Sequence, residues 1–244
     1  MDSGYYAAYA GLLARTEALD SAASNLSNAN TTGFRAEREY FRSAVTGPHA
    51  LESQLNRTVN DFGVLGGNQL SMAQGALTTT GNTLDVAIEG SGFFAVQTKA
   101  GLRYTRDGAF SRAANGMLTT SAGDAVMSAQ GKALLLPPGE ISIGADGAVS
   151  VAGGVAGSIG VFNFAKASDL TPEGTNRYVA AQDAKATLSK ATLHQGSLES
   201  SNQDIIQGSL QMILVQRQAE MMQKALSIFH TEFDKTASEE LPRV

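Results

Sequence analysis

The chain has 244 residues, 43% of them hydrophobic and 17% charged, with a formal net charge of -5 and no cysteine. That composition excludes disulfide frameworks, thiolate metal sites and cysteine nucleophiles, and the acidic balance argues against nucleic acid as the main partner. No stretch approaches the roughly 18 apolar residues of a membrane span, so no membrane insertion is expected, and the opening MDSGYYAAYAGLLART has neither the cationic head nor the apolar core of a cleaved signal.

Taken in order, Tyr5, Ala8, Leu12, Arg15, Leu19, Ala22 and Leu26 recur in steps of three and four, which predicts a helix with a coiled-coil seam from about 5 to 26. Arg15 is its one polar member. The polar stretch NLSNANTTGF, Asn25 to Phe34, ends that helix, because Asn, Ser and Thr compete for backbone hydrogen bonds. Gly33 is the residue for a positive-φ turn there. Asn25 and Asn28, three apart, fall on one helix face. The next segment, RAEREYFRSAV, reads either as a short helix or as an extended arm.

The middle of the chain holds 19 of the 26 glycines, between Gly63 and Gly160. LDVAIEG and GFFAVQT read as strands bounded by turn signals, and ISIGADGAVSV reads as a hairpin turning at Asp146-Gly147. RDGAFSRAANGML adds a further Asp-Gly and an Asn-Gly. An all-β region of many short strands is expected, with Pro137, Pro138 and Pro172 in loops. Helical spacing then returns at Ile205, Gly208, Met212, Val215, Ala219, Met222, Leu226, Phe229 and Phe233, four heptads of seam. Asn202 or Ser201 is the expected N-cap, and Glu220 with Lys224 an expected i,i+4 pair.

Few residues offer chemistry. GSGFFA, Gly90 to Ala95, matches the dinucleotide fingerprint in letters, but a strand rather than a helix is expected to follow, so a dinucleotide-binding enzyme is the weaker reading. His49, His194 and His230 stand singly, without spaced carboxylate or histidine partners, so no metal, cofactor or catalytic group is expected. Asp85, Glu89 and Asp107 sit beside turn glycines, which favours turn roles. In YTRDG, Arg106 and Asp107 are open to two readings, a solvated turn and an interface.

Four blocks, in order, resemble the rod and hook protein family of the bacterial flagellar axial structure. They are NLSNANTTGFR, QGALTTTGNTLDVAIEGSGFFAV, YTRDGAF, and QGSLESSNQD with MILVQRQAEMMQKAL. The chain departs from the family pattern at Gln203 and Ala219, where valine and an aromatic are usual. The start MDSGYYAAYAGL and the short stretch from Phe34 to Gln74 resemble proximal-rod members more than distal-rod or hook members.

The resemblance implies an α+β fold in which N- and C-terminal coiled-coil helices pair as an inner-tube domain and a glycine-rich all-β domain lies outside. The corresponding divisions are 1–34 and 194–244 for the inner-tube helices, 35–73 for an extended arm and 74–193 for the β domain. It implies a non-enzymatic rod subunit in the periplasm, assembling into a torque-transmitting helical tube around the export channel. Its partners would be other flagellar rod subunits and the flagellar type III export apparatus. Export would proceed without a cleaved signal peptide. Assembly contacts are expected at Asn25, Leu26, Asn28, Thr31, Gly33 and Phe34, at Arg106 and Asp107, and along the last helix at Met212, Val215, Gln216, Arg217, Met222, Leu226, Phe229 and Phe233.

Overall fold

A computed structural model describes residues 2–42 and 64–239. They fall into two compact units. The first comprises the chain through Leu26, Glu37–Gln69 and everything from Ile205 onward; the second comprises Ser27–Ala36 and Leu70–Asp204.

In the first unit, helix α1 runs Asp2–Ser27. Its many alanines favour helix, and its buried positions among the described side chains are Gly11, Ala14, Ala18, Ser21, Ala22 and Asn25. Of the expected seam Ala22 is buried, but Leu12, Arg15, Leu19 and Leu26 are only half-buried, and the more buried stripe lies one residue to the side. The offset has a steric cause. Neighbouring helix positions point about 100° apart, and a stripe of glycine and alanine lets other backbone approach more closely than leucine does. The leucines then flank the contact instead of forming its floor.

Strands β1 (Glu37–Arg42) and β2 (Val64–Leu70) form a two-stranded ribbon, which gives the extended alternative for RAEREYFRSAV as far as Arg42, its last residue among those described. The carboxamide of Asn25 fastens its start, donating from Nδ2 to the Glu37 carbonyl at 2.7 Å and accepting at Oδ1 from the Glu37 N–H at 2.9 Å.

The C-terminal helix, α2 here, spans Ile205–Glu239. Gly208, Val215 and Ala219 are buried on it, and Met212, Met222 and Leu226 are half-buried. These are the expected seam positions, except that Ile205 is 47% exposed. The side chains of Phe229 and Phe233 lie outside those described. On the opposite side, Ile206, Leu210, Ile213, Met221 and Ile228 form a second apolar stripe that is exposed. The flank pairing also differs from expectation, because the Glu220 carboxylate accepts from Gln216 Nε2 at 3.2 Å.

The second unit is antiparallel β throughout. Its largest sheet follows the order β14 (Leu170–Glu173), β15 (Arg177–Ala180), β6 (Gly101–Thr105), β5 (Phe93–Thr98), β9 (Ala125–Val126), β8 (Leu118–Thr120) and β7 (Phe110–Arg112). Strand β13 (Val161–Asn163) pairs with β5 and with β16 (Thr187–Leu188). Strands β10 (Ile141–Ile143), β11 (Ala148–Val151) and β12 (Gly154–Ser158) form a three-stranded sheet. Two ribbons complete the unit: β3 (Leu77–Thr79) with β18 (Ser197–Glu199), and β4 (Val86–Glu89) with β17 (Thr192–Gln195).

Strand β5 explains the run GFFAV. Alternate strand residues face opposite sides, and here both sides are core. Phe94 and Val96 pack with Val86, Ile88, Leu118 and Val126, whereas Phe93 and Ala95 pack with Tyr104, Phe164 and Tyr178. Edge-to-face pairs such as Phe94 with Phe110, centroids 5.0 Å apart, and Tyr104 with Phe164, 4.8 Å apart, lie in these two cores. Each fully buried Phe contributes about 1.5–3 kcal/mol.

The turns are partly as expected. Asp146-Gly147 joins β10 to β11, with Gly147 at φ +84° and Asp146 Oδ1 accepting from the Ala148 N–H at 3.0 Å. Asn115-Gly116 joins β7 to β8. Asp107-Gly108 does not close a hairpin, because β6 pairs with β5 and β15 while β7 pairs with β8. Pro172, expected in a loop, stands in β14, the edge of its sheet, where a residue without an N–H is tolerated.

Candidate functional site

The polar stretch after α1 is built by its own side chains. Thr31 donates its N–H to the Asn28 carbonyl at 3.0 Å and its hydroxyl to Asn28 Oδ1 at 3.1 Å, and the Phe34 N–H bonds the Thr31 carbonyl at 3.2 Å. Gly33 then turns with φ +68°. Its N–H reaches the Glu199 carbonyl at 2.8 Å, and a Cβ there would stand 2.3 Å from the Asp107 nitrogen. Only glycine fits on both counts.

Past this turn, Phe34 and Arg35 are buried. Arg35 Nη2 pairs with Glu199 Oε1 at 2.9 Å, its Nη1 donates to the Ala73 carbonyl, and its N–H donates to the Tyr178 hydroxyl at 3.0 Å. Arg106 arrives from the end of β6. Its Nη1 donates to Glu199 Oε2 at 2.8 Å and to the Ile88 carbonyl at 3.1 Å, and its Nη2 to the Gly90 carbonyl at 2.5 Å. The guanidinium also lies 5.4 Å from the Phe93 ring centroid. Glu199 Oε1 further accepts the Gly75 N–H at 2.8 Å, and a Cβ on Gly75 would sit 2.0 Å from the Ser200 carbonyl.

Two guanidinium groups thus share one carboxylate, with all three side chains at most 2% exposed. Burial lowers the Arg106 guanidinium to about 10, with Arg35 acting in the same direction and Glu199 against it. Arg106 therefore stays a cation at neutral pH, and Glu199 is a counter-ion to two charges. The Nε atoms of both arginines have no partner among the described residues. Charged groups in this setting gain from charge-assisted bonds and are costly when left single.

Around the ion cluster, amides tie the remaining segments. Asn202 Oδ1 accepts from the Ala36 N–H at 2.7 Å, and its Nδ2 donates to the carbonyls of Ser71 and Ala73 at 3.1 and 2.8 Å. The Ser71 N–H bonds the Ala36 carbonyl at 2.8 Å. Asn202 is therefore a clasp rather than the expected helix cap. Gln74 bridges the Ile88 carbonyl and the Gly90 N–H. Asp107 accepts from the Ala109 N–H and from Asn176 Nδ2; burial raises its carboxyl above the usual range, those two bonds oppose the rise, and nearby Asp85 adds to it.

Each of the four sequence blocks contributes residues to this node within the second unit. Of the residues expected at contacts, Thr31, Gly33, Phe34, Arg106 and Asp107 gather here, with Asn28 at the edge. The solvated-turn reading of Arg106 does not hold, because the side chain is buried in an ion cluster. Asn25 lies in the first unit, where both ends of its amide are engaged with Glu37. Leu26, Met212, Val215, Gln216, Arg217, Met222 and Leu226 lie in the first unit, where Gln216 and Arg217 are exposed.

Sequence alone does not single out Arg35, Glu199 or Gln74, and it marks Asn202 only as a helix cap, although each lies inside a quoted block. Single charges and amides announce no partner until strand pairing brings them together. The same pairing corrects the reading of His194. Strand β17 lies beside β4, so His194 Nε2 sits 2.6 Å from Glu89 Oε2 on the surface. His49 lies outside the described residues. Gly90 and Gly92 precede β5, not a helix; the Gly90 carbonyl serves Arg106, and a Cβ on Gly92 would strike Val161 at 2.6 Å. Among the described residues, no three His, Cys, Asp or Glu side chains converge as a metal site, and no helix is long and apolar enough to cross a membrane.

Comparison with known proteins gives two family matches: Flagella basal body rod protein over residues 6–35, and Flagellar hook protein FlgE/F/G D1 domain over residues 87–151. Flagellar basal-body rod protein FlgF of Caulobacter vibrioides is 34% identical over 249 residues, covering 100% of both chains. FlgF of Mesorhizobium japonicum is 35% identical over 221 residues, 89% of each chain. Flagellar basal-body rod protein FlgG of Bacillus subtilis is 30% identical over 238 residues, 87% of this chain and 89% of its own.

Proposed function

Because the chain belongs to the family of flagellar basal-body rod proteins, we propose that it is a non-enzymatic building block whose terminal helices pair and pack with neighbouring subunits into a helical tube. It is a structural subunit of the rod of the flagellar basal body, more similar to the FlgF relatives than to the FlgG relatives. The observation that carries the reading is the end-to-end match, which spans both terminal helices as well as the β unit.

The chemistry of the helices supports the tube. Helix α2 has apolar residues on two opposed faces, one largely buried and one exposed. A helix that is apolar on both sides needs a partner on each. Contacts of one face with a different face on the next copy generate an open helical assembly. In this reading the tube transmits torque across the periplasm and surrounds the export channel. The subunit reaches it through the flagellar type III apparatus. The ionic node holds the β unit together, and no catalytic role is proposed.

The test is position. In a deletion strain complemented with a tagged copy, isolated basal bodies are expected to carry the tag in the proximal rod, and motility is expected to return. A tag in the distal rod or hook would assign it to the position of the FlgG or hook relatives instead. Complemented basal bodies lacking the tag altogether would overturn the structural reading.

A further inference from the structure

We infer that residues 192–204 are a strap that closes last over the β unit, with Glu199 as its latch. Strands β3 and β4 each have a single strand partner, and both partners, β18 and β17, belong to this segment. Val86 and Ile88 of β4 are fully buried, and Leu193 of the strap joins the same core cluster. Until the strap arrives, the most buried strand of the unit lacks its ladder and its cover.

The ion cluster makes the dependence stricter. Arg35 and Arg106 come from segments far apart in sequence, and Glu199 is the sole carboxylate paired with either among the described residues. Removing a buried guanidinium from water without a counter-charge is strongly unfavourable. The arginines therefore cannot be buried before the strap docks.

The order follows from loop closure. The hairpins β5–β6, β7–β8 and β10–β11 join neighbours in sequence. The strap contacts close much longer loops, with Glu199 lying 93 residues from Arg106 and 124 from Gly75. Contacts of such separation form after local ones. The segment leading into the strap, residues 181–188, is exposed except at Ala184 and ends in β16, which pairs with β13, so the chain is held to the large sheet as far as Leu188 independently of the strap contacts. The β unit is thus a sheet assembled early and sealed late by the last stretch of chain that belongs to it. This inference does not depend on assignment to the rod.

The test uses the full chain and hydrogen exchange read by mass spectrometry. In refolding pulses, amides of 93–105 are expected to gain protection before those of 192–202; simultaneous protection would overturn the order. At equilibrium, Glu199→Gln is expected to raise exchange at 192–202, 77–79 and 86–89 by at least about tenfold, leaving 93–105 unchanged. An even rise across the unit would refute the latch. Should that variant not fold, Leu193→Ala loosens the strap from its apolar end, leaving the ion cluster intact, and the same regional pattern is expected, with an even rise again counting against the strap.

Discussion

Gly33→Ala is the sharpest probe of the node, and Gly81→Ala is its internal control. Both glycines have similar positive φ, +68° and +76°, so both alanines carry the same backbone penalty of about 1–2 kcal/mol. Their surroundings differ. A Cβ on Gly81 meets nothing within 4 Å, whereas one on Gly33 would lie 2.3 Å from the Asp107 nitrogen and 2.4 Å from the Arg106 carbonyl carbon. Those atoms are backbone, about 1 Å inside ordinary contact, so one segment must move. A shift of that size breaks the 2.8 Å bond from the Gly33 N–H to the Glu199 carbonyl, about 1 kcal/mol, and loosens the Arg106–Glu199 pair beside it, about 1–2 kcal/mol more. The expected totals are about 3–5 kcal/mol for Gly33→Ala and about 1–2 kcal/mol for Gly81→Ala. Urea unfolding of the full chain, followed by near-ultraviolet dichroism of the tyrosines, measures both. Equal losses would refute the claim that Gly33 is held by close approach to the node.

Three further outcomes are expected. Leu226→Asp, on the half-buried face of α2, keeps the β-unit dichroism but fails to restore swimming in soft agar; normal motility would remove the argument for the seam. Helix content of the dilute free chain, by far-ultraviolet dichroism, is lower than in assembled rods, and full helicity in the monomer would contradict helix pairing through assembly. Asp107 binds its proton more tightly folded than unfolded, so its contribution to stability is largest below the ordinary value of 3.8 and falls as pH rises through the raised one. Asp107→Asn should flatten stability against pH in that acidic window, and an unchanged slope in denaturant melts would show the group is not the cause.

What could be read from sequence was local. Asp146-Gly147 carries its turn in two residues, and FFAV carries its strand in four, because φ preference and alternation act between neighbours. The seam on α2 was also legible, since periodicity survives whatever covers it. Helix α1 was misread by one residue because burial there follows closeness of approach, which Gly11, Ala14 and Ala18 permit, and not hydrophobic bulk. The node was hidden for a different reason. Arg35, Arg106 and Glu199 become partners only after β3 finds β18 across half of the chain, and an isolated charge looks the same whether solvated or buried. Asn202 matched an N-cap by type and position, yet its amide found three backbone groups instead.

The bond between the Ser71 N–H and the Ala36 carbonyl, with Asn202 over both, has a consequence for how the chain can vary. It places Ala36 and Ser71, which flank the 37–69 excursion, against each other within the β unit. A segment whose ends are already joined can change in length at little cost: each doubling adds only about 0.6 kcal/mol of closure entropy. Residues can therefore be added to or removed from that excursion without disturbing the ion cluster or either β core, which makes it the natural place to splice in a tag or to adapt the subunit to a different neighbour.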